Sequence, residues 1–121
     1  MIRRAAYCAA IVFALLAGGP APAQADAQDD AMEPVWLHYW LAISAAQQCE
    51  DRKFTGPDYD AMVQVIDRKV NFAIGAGPRH HLITVSKDQV WDRVFKYGCH
   101  DQQIVDLLAL FHSDLEPALP R

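Results

Sequence analysis

The first 25 residues set the terms on which the rest of the chain must fold. Met1-Ile2-Arg3-Arg4 is a short positive start, and an apolar run from Ala5 to Ala17 follows. Gly18, Gly19, Pro20 and Pro22 then break any helix, and Ala23-Gln24-Ala25 ends in small-x-small form. This is the pattern of a cleavable secretory signal peptide, residues 1–25, whose apolar run is too short for a membrane span. The processed chain is expected to begin near Asp26, in a periplasmic or secreted and therefore oxidising location. Arg3-Arg4 is also a twin-arginine pair, but Ala5-Ala6-Tyr7 lacks the hydrophobic and basic residues that usually follow. Cys8 sits at the front of the apolar run, away from the cleavage point, so it is not placed as a lipid acceptor.

Removing 25 of the 121 residues leaves 96, enough for one domain with one modest core, 26–121. Arg3 and Arg4 leave with the signal, so nine Lys and Arg face fifteen Asp and Glu, a net −6 against −4 for the whole chain. Such acidity repels phosphate backbones and anionic lipid, so neither nucleic acid nor membrane insertion after processing is expected. A cationic partner surface or metal cations would suit it better.

Processing also leaves two cysteines, Cys49 and Cys99. An even pair without metal-type spacing in an exported chain reads as a disulfide. Closing a loop of about 50 residues would contribute roughly 4 kcal/mol by the chain-entropy model, against the ~5–15 kcal/mol that a small domain has in total. Two free thiols in a redox or metal role would want a partner cysteine or histidine close by. His100 follows Cys99, but Lys96 stands where haem attachment needs a second cysteine.

The remaining pattern is helical. Asp26–Met32 is polar and unpatterned and reads as a flexible lead-in, as do residues 117–121 at the other end. A first helix is expected from Glu33-Pro34 to about Asp51. Thr55-Gly56-Pro57-Asp58 has the form of a capping box that starts a second. Its apolar residues Tyr59, Met62, Val63, Ile66 and Val70 share one face, and Gly75-Ala76-Gly77-Pro78 stops it. A third helix runs from about Pro78 to Tyr97, closed by Gly98. Ser86-Lys87-Asp88-Gln89 offers a later start, with Leu82–Val85 extended before it. The longer helix is preferred because four residues of strand have no pairing partner. A fourth helix begins near Asp101, with Ile104, Leu107, Leu108, Phe111 and Leu115 on one face, until Pro117 ends it. The fold class expected is all-α, a small four-helix bundle-like domain with one disulfide.

The first helix is the unusual element. Val35-Trp36-Leu37-His38-Tyr39-Trp40-Leu41 is apolar almost all the way round. His38, Ala42, Ala45 and Cys49 share one side, and the disulfide turns that side towards the third and fourth helices. Trp36 and Trp40 then point either under the second helix or to solvent. If they are core, they are the bulk of a small interior. If not, Trp36, Tyr39, Trp40 and Ile43 form a partner-binding patch, since exposed Trp and Tyr clusters anchor interfaces.

No segment carries a catalytic signature, so no enzyme activity and no cofactor are expected. None of the five histidines is four residues from another, the spacing that puts two ligands on one helical face. His80, His81 and His100 are the weak metal candidates, and any site would have to be assembled between helices. Asp88 and Asp92 share a face, but Lys96 pairs with Asp92 at the same spacing, so a solvated charged face is expected there. Gly75-Ala76-Gly77-Pro78 follows a helix and has no phosphate-binding lysine, so it is not a phosphate loop.

The plan of a small exported helical domain with one long-range disulfide is similar to that of periplasmic acid-stress chaperones. It is similar also to that of some immunity proteins against secreted peptidoglycan amidases. Phe111-His112-Ser113-Asp114-Leu115, with the tryptophan-rich first helix, resembles the latter over a short stretch, with the second cysteine placed differently. No family is assigned on this basis. The function expected is that of a non-enzymatic exported protein that binds a protein partner, of accessory, inhibitor, chaperone or immunity type. The alternative is a periplasmic module that binds a metal or small ligand.

Overall fold

The computed structural model describes residues 20–120, with side chains from Ala31 onward. Residues 1–19, and with them most of the expected signal peptide, lie outside the described residues. The chain divides into two units, Met1–Ala31 and Met32–Arg121. The described core lies in the second, from Trp36 to Leu115.

The described residues are all-α: α1 (Pro20–Cys49), α2 (Gly56–Lys69), α3 (Ala76–Tyr97) and α4 (Gln102–Leu110). A π-helical turn, Phe111–Leu115, and a 3-10 turn, Glu116–Ala118, follow. Helix α1 starts earlier than the sequence pattern suggests, and Asp26–Met32 is helical, not an unpatterned lead-in. Alanines at 21, 23, 25, 27 and 31 give this stretch high helix propensity. Pro34, placed at the expected start, removes one amide donor inside the helix without ending it.

Helix α2 begins as its capping box predicts. The Thr55 hydroxyl accepts from the Asp58 amide at 3.3 Å, and the Thr55 amide donates to the Asp58 carboxylate at 2.9 Å. Its far end closes with Asn71 and Phe72 at φ 54° and 56°, the Phe72 amide reaching back to the Asp67 carbonyl. A phenylalanine in the left-handed region is uncommon, so helix closure dictates this turn against side-chain preference.

Helix α3 takes the longer of its two expected forms. Ser86 does not cap it but lies buried inside it, donating to the Ile83 carbonyl at 2.6 Å. Gly98 then breaks the helix at φ 80°; nothing crowds its Cβ position, so the backbone conformation alone favours glycine. Helix α4 stops at Leu110, short of the expected Pro117. The π turn that follows carries Phe111 and Leu115 fully into the core.

Small residues let α1 sit close to its neighbours. Ala42, Ile43, Ala45 and Ala46 are fully buried, and the Ser44 hydroxyl lies 3.4 Å from that of Ser86 on α3. Cys49, at the end of α1, is bonded to Cys99 in the α3–α4 turn. The Tyr39 hydroxyl donates to Asp114 at 2.7 Å and ties α1 to the π turn.

That last bond sets a pH dependence. Burial, with help from Asp114, pushes the Tyr39 hydroxyl up to about 12. The Tyr39 hydrogen bond, then that from Ser113, holds the Asp114 carboxyl below its ordinary value. Above pH 10 the unfolded chain gives up the tyrosine proton first, so stability falls as pH rises towards 12. The Asp114 contribution is present above pH 3.8 and is lost as pH drops through the lower folded-state value. Urea midpoints measured across pH should show both limbs, and Tyr39→Phe should flatten the alkaline one. An unchanged alkaline limb in Tyr39→Phe would contradict the assignment.

Candidate functional site

All four residues of the expected patch on the first helix are in the core. Trp36 is 1% exposed and Trp40 5%, with Tyr39 and Ile43 likewise buried. They are covered from several elements: Tyr59 of α2 lies on Trp40, Arg79 of α3 on Trp36, and Asp114 of the π turn holds the Tyr39 hydroxyl. Trp36 packs on Trp40 at 5.4 Å between ring centroids, and Trp40 stacks on Tyr59 at 6.0 Å. Phe54 continues the chain of rings from Tyr59 to Phe111. Neither indole N–H has a hydrogen-bond partner among the described residues. Arg79 covers the Trp36 ring at 5.7 Å and is fixed there by Asp67 at 2.6 Å.

Among the described residues, the exposed aromatics are Phe72, in the turn that closes α2, and three on α3: Trp91, Phe95 and Tyr97. The core side of α3 carries Leu82, Ser86 and Val90, with Ile83 and Val94 half-buried beside them. Trp91 follows Val90 by one residue, a turn of about 100° away from the core, and Phe95 lies one helical turn further on. Trp91 is 68% exposed and Phe95 81%. Thr84, Asp88, Trp91 and Phe95 fall at spacings of four, three and four residues, which keeps them in one stripe along the helix. Lys87, Asp92 and Lys96 flank the stripe and Asp88 lies within it, two charges of each sign, with Lys96 bonded to Asp92 at 3.1 Å.

The flank of α3 that adjoins Asp92 and Lys96 is polar. Gln89, Asp92, Arg93, Lys96, Tyr97 and Gln103 line an open cleft of about 320 Å³. Its central cation is already engaged. Arg93 donates to both Asp101 oxygens, at 2.6 and 3.1 Å, and lies 4.8 Å over the Tyr97 ring. Arg93 holds the Asp101 carboxyl below its ordinary range, and Asp101 holds the guanidinium above its own. Asp101 also caps α4 by accepting from the Ile104 amide. The pair joins α3 to α4 and leaves little charge free for an anionic ligand. A smaller depression of about 200 Å³ lies between His38 and Leu41 on α1 and Gln103, Asp106 and Leu107 on α4.

His80, His81 and His100 are exposed. Among the described residues, no three His, Cys, Asp or Glu side chains are grouped to hold a metal ion. His112 stands between Glu50 at 2.7 Å and Glu116 at 3.1 Å, and Arg52 bridges Glu50 and Glu116. These partly exposed charges join the end of α1 to the terminal turns, and such pairs are individually weak. No described helix is long and apolar enough to cross a membrane.

Compared with protein-family models, curated proteins and solved structures, the chain matches none of them.

Proposed function

We propose that this chain is an exported, non-enzymatic, bundle-like protein that acts by binding a protein partner, with the outward face of α3 as its contact surface. One observation carries the reading. A chain that buries Trp36, Trp40 and Phe111 leaves Trp91 and Phe95 in water, one helical turn apart on the same stripe. Exposing two large aromatic side chains forgoes several kcal/mol of burial (roughly 1.5–3 kcal/mol for a large apolar side chain). Tryptophan in particular is over-represented among the residues that dominate interface energies. The accessory, inhibitor, chaperone and immunity roles all use such a surface.

The test is a photo-crosslinking amino acid at position 88, within the stripe, in cells that make the protein. A discrete protein adduct should form and should be lost when Trp91→Ala and Phe95→Ala are combined. The double variant should melt within a few degrees of the parent, because surface changes typically cost no more than about 0.5 kcal/mol. No adduct, or one that survives the double substitution, would contradict the reading.

A further inference from the structure

We propose that the partner on the α3 face is a second copy of this chain, laid antiparallel with its two-fold axis near residue 93. This rests on reading that face as a binding surface. Charge is the first indication of a like partner. Residues 26–121 carry nine basic and fifteen acidic side chains. A face built for a basic partner would draw on that excess and be rimmed by acid. The charges here are balanced, with Lys87 and Lys96 against Asp88 and Asp92. A locally neutral face lets two acidic molecules approach without local repulsion.

The order of the charges then favours a symmetric pair. With the axis near residue 93, residue 92 of one helix lies level with residue 94 of the other, and residue 96 with residue 90. At 1.5 Å rise per residue, Lys96 comes within about 3 Å along the axis of both Asp88 and Asp92 of the second copy. Asp88, Asp92 and Lys96 advance round the same flank of the helix, and in an antiparallel symmetric pair that flank meets itself. Asp88 has no ion-pair partner among the described residues, and this arrangement supplies one. Trp91 of each copy meets Phe95 of the other, so four aromatic rings close the centre.

The area places the pairing among small, transient contacts. Four aromatic side chains at about 150–250 Å² each give roughly 600–1,000 Å². The stems of the rim residues bring the total towards about 1,200 Å², the lower end for a specific interface. The dimer should therefore be weak, with a dissociation constant on the order of tens of micromolar, and in exchange with monomer.

Sedimentation equilibrium of the protein, purified as its cells make it, tests this. The weight-average mass should climb from monomer towards dimer between roughly 1 and 200 μM, around the dissociation constant estimated above. Trp91→Ala with Phe95→Ala should weaken pairing by roughly 100-fold or more, with the melt little changed. Two charge variants make the test specific to register. Lys96→Asp alone gives an acidic rim, and Asp88→Lys with Asp92→Lys gives a basic one. Each should be monomeric by itself, and the two mixed should pair. A parent that is monomeric throughout overturns the proposal, and so does a dimer indifferent to these substitutions or charge variants that fail to pair when mixed. If the parent is monomeric but the adduct at position 88 contains another protein and depends on Trp91 and Phe95, self-pairing fails and the partner-binding reading stands. If neither dimer nor adduct forms, both fail.

Discussion

Trp40→Ala is expected to lower the melting temperature by roughly 12 °C or more. Removing a buried tryptophan costs about 3–5 kcal/mol, and each kcal/mol moves the midpoint of a 60–100-residue domain by about 4–8 °C. Trp40 is where this cost should be greatest, because its ring is the junction between Trp36 and Tyr59. Its loss opens the contact of α1 with α2 from both sides. Trp40→Phe should be milder, since it keeps an aromatic ring in the stack and gives up an N–H that has no partner. Thermal melts of the two variants decide the point. A Trp40→Ala melt within 3 °C of the parent (less than about 1 kcal/mol by the same conversion) would show that the pair is not core.

Loss of the Cys49–Cys99 bond should have an effect of similar size. The two cysteines are 50 residues apart in sequence, and the bond ties the end of α1 to the turn between α3 and α4. By the chain-entropy model, opening such a loop costs roughly 4 kcal/mol, most of it through the freedom gained by the unfolded chain. Set against about 5–15 kcal/mol for a small domain, this brings the reduced protein near its unfolding threshold at 37 °C. Paired melts with and without reductant should differ by roughly 15 °C or more. Intact mass after alkylation should show no free thiol at Cys49 or Cys99 before reduction and two afterwards. Coincident melts, or alkylation of both residues without reductant, would contradict this.

Much of this fold was legible from local chemistry. The capping box at Thr55, the stop at Gly98 and the N-cap at Asp101 are each decided within a few residues, so the sequence displays them directly. The disulfide was legible because only one pair of cysteines remained once Cys8 was set aside. The boundaries that differed depend on less local terms. The start of α1 turns on a run of alanines whose helical preference outweighs its polar neighbours. The π turn at Phe111–Leu115 satisfies packing in the core, where Phe111 and Leu115 must both point inward while Asp114 reaches Tyr39. No sequence spacing announces that.

Whether Trp36 and Trp40 are core or surface stayed open in the sequence for an identifiable reason. Helix α1 is apolar all round, and periodicity alone does not say whether a second apolar face is covered. Tyr59 and Arg79, which lie on Trp40 and Trp36, come from other parts of the chain. The exposure of Trp91 and Phe95 on α3 is written in the helical period. With Leu82, Ser86 and Val90 as the inner face, a helical wheel already places Trp91 and Phe95 away from it.

The most direct measurement of that assignment uses the protein's three tryptophans as reporters. Iodide quenching in dilute protein, well below micromolar, should show one accessible fraction and one protected. Trp91→Phe should abolish the accessible fraction and leave a blue-shifted, unquenched emission from Trp36 and Trp40. If iodide quenching survives Trp91→Phe and is removed by Trp40→Phe instead, the exposed aromatic face lies on α1, and the account given for α3 is wrong.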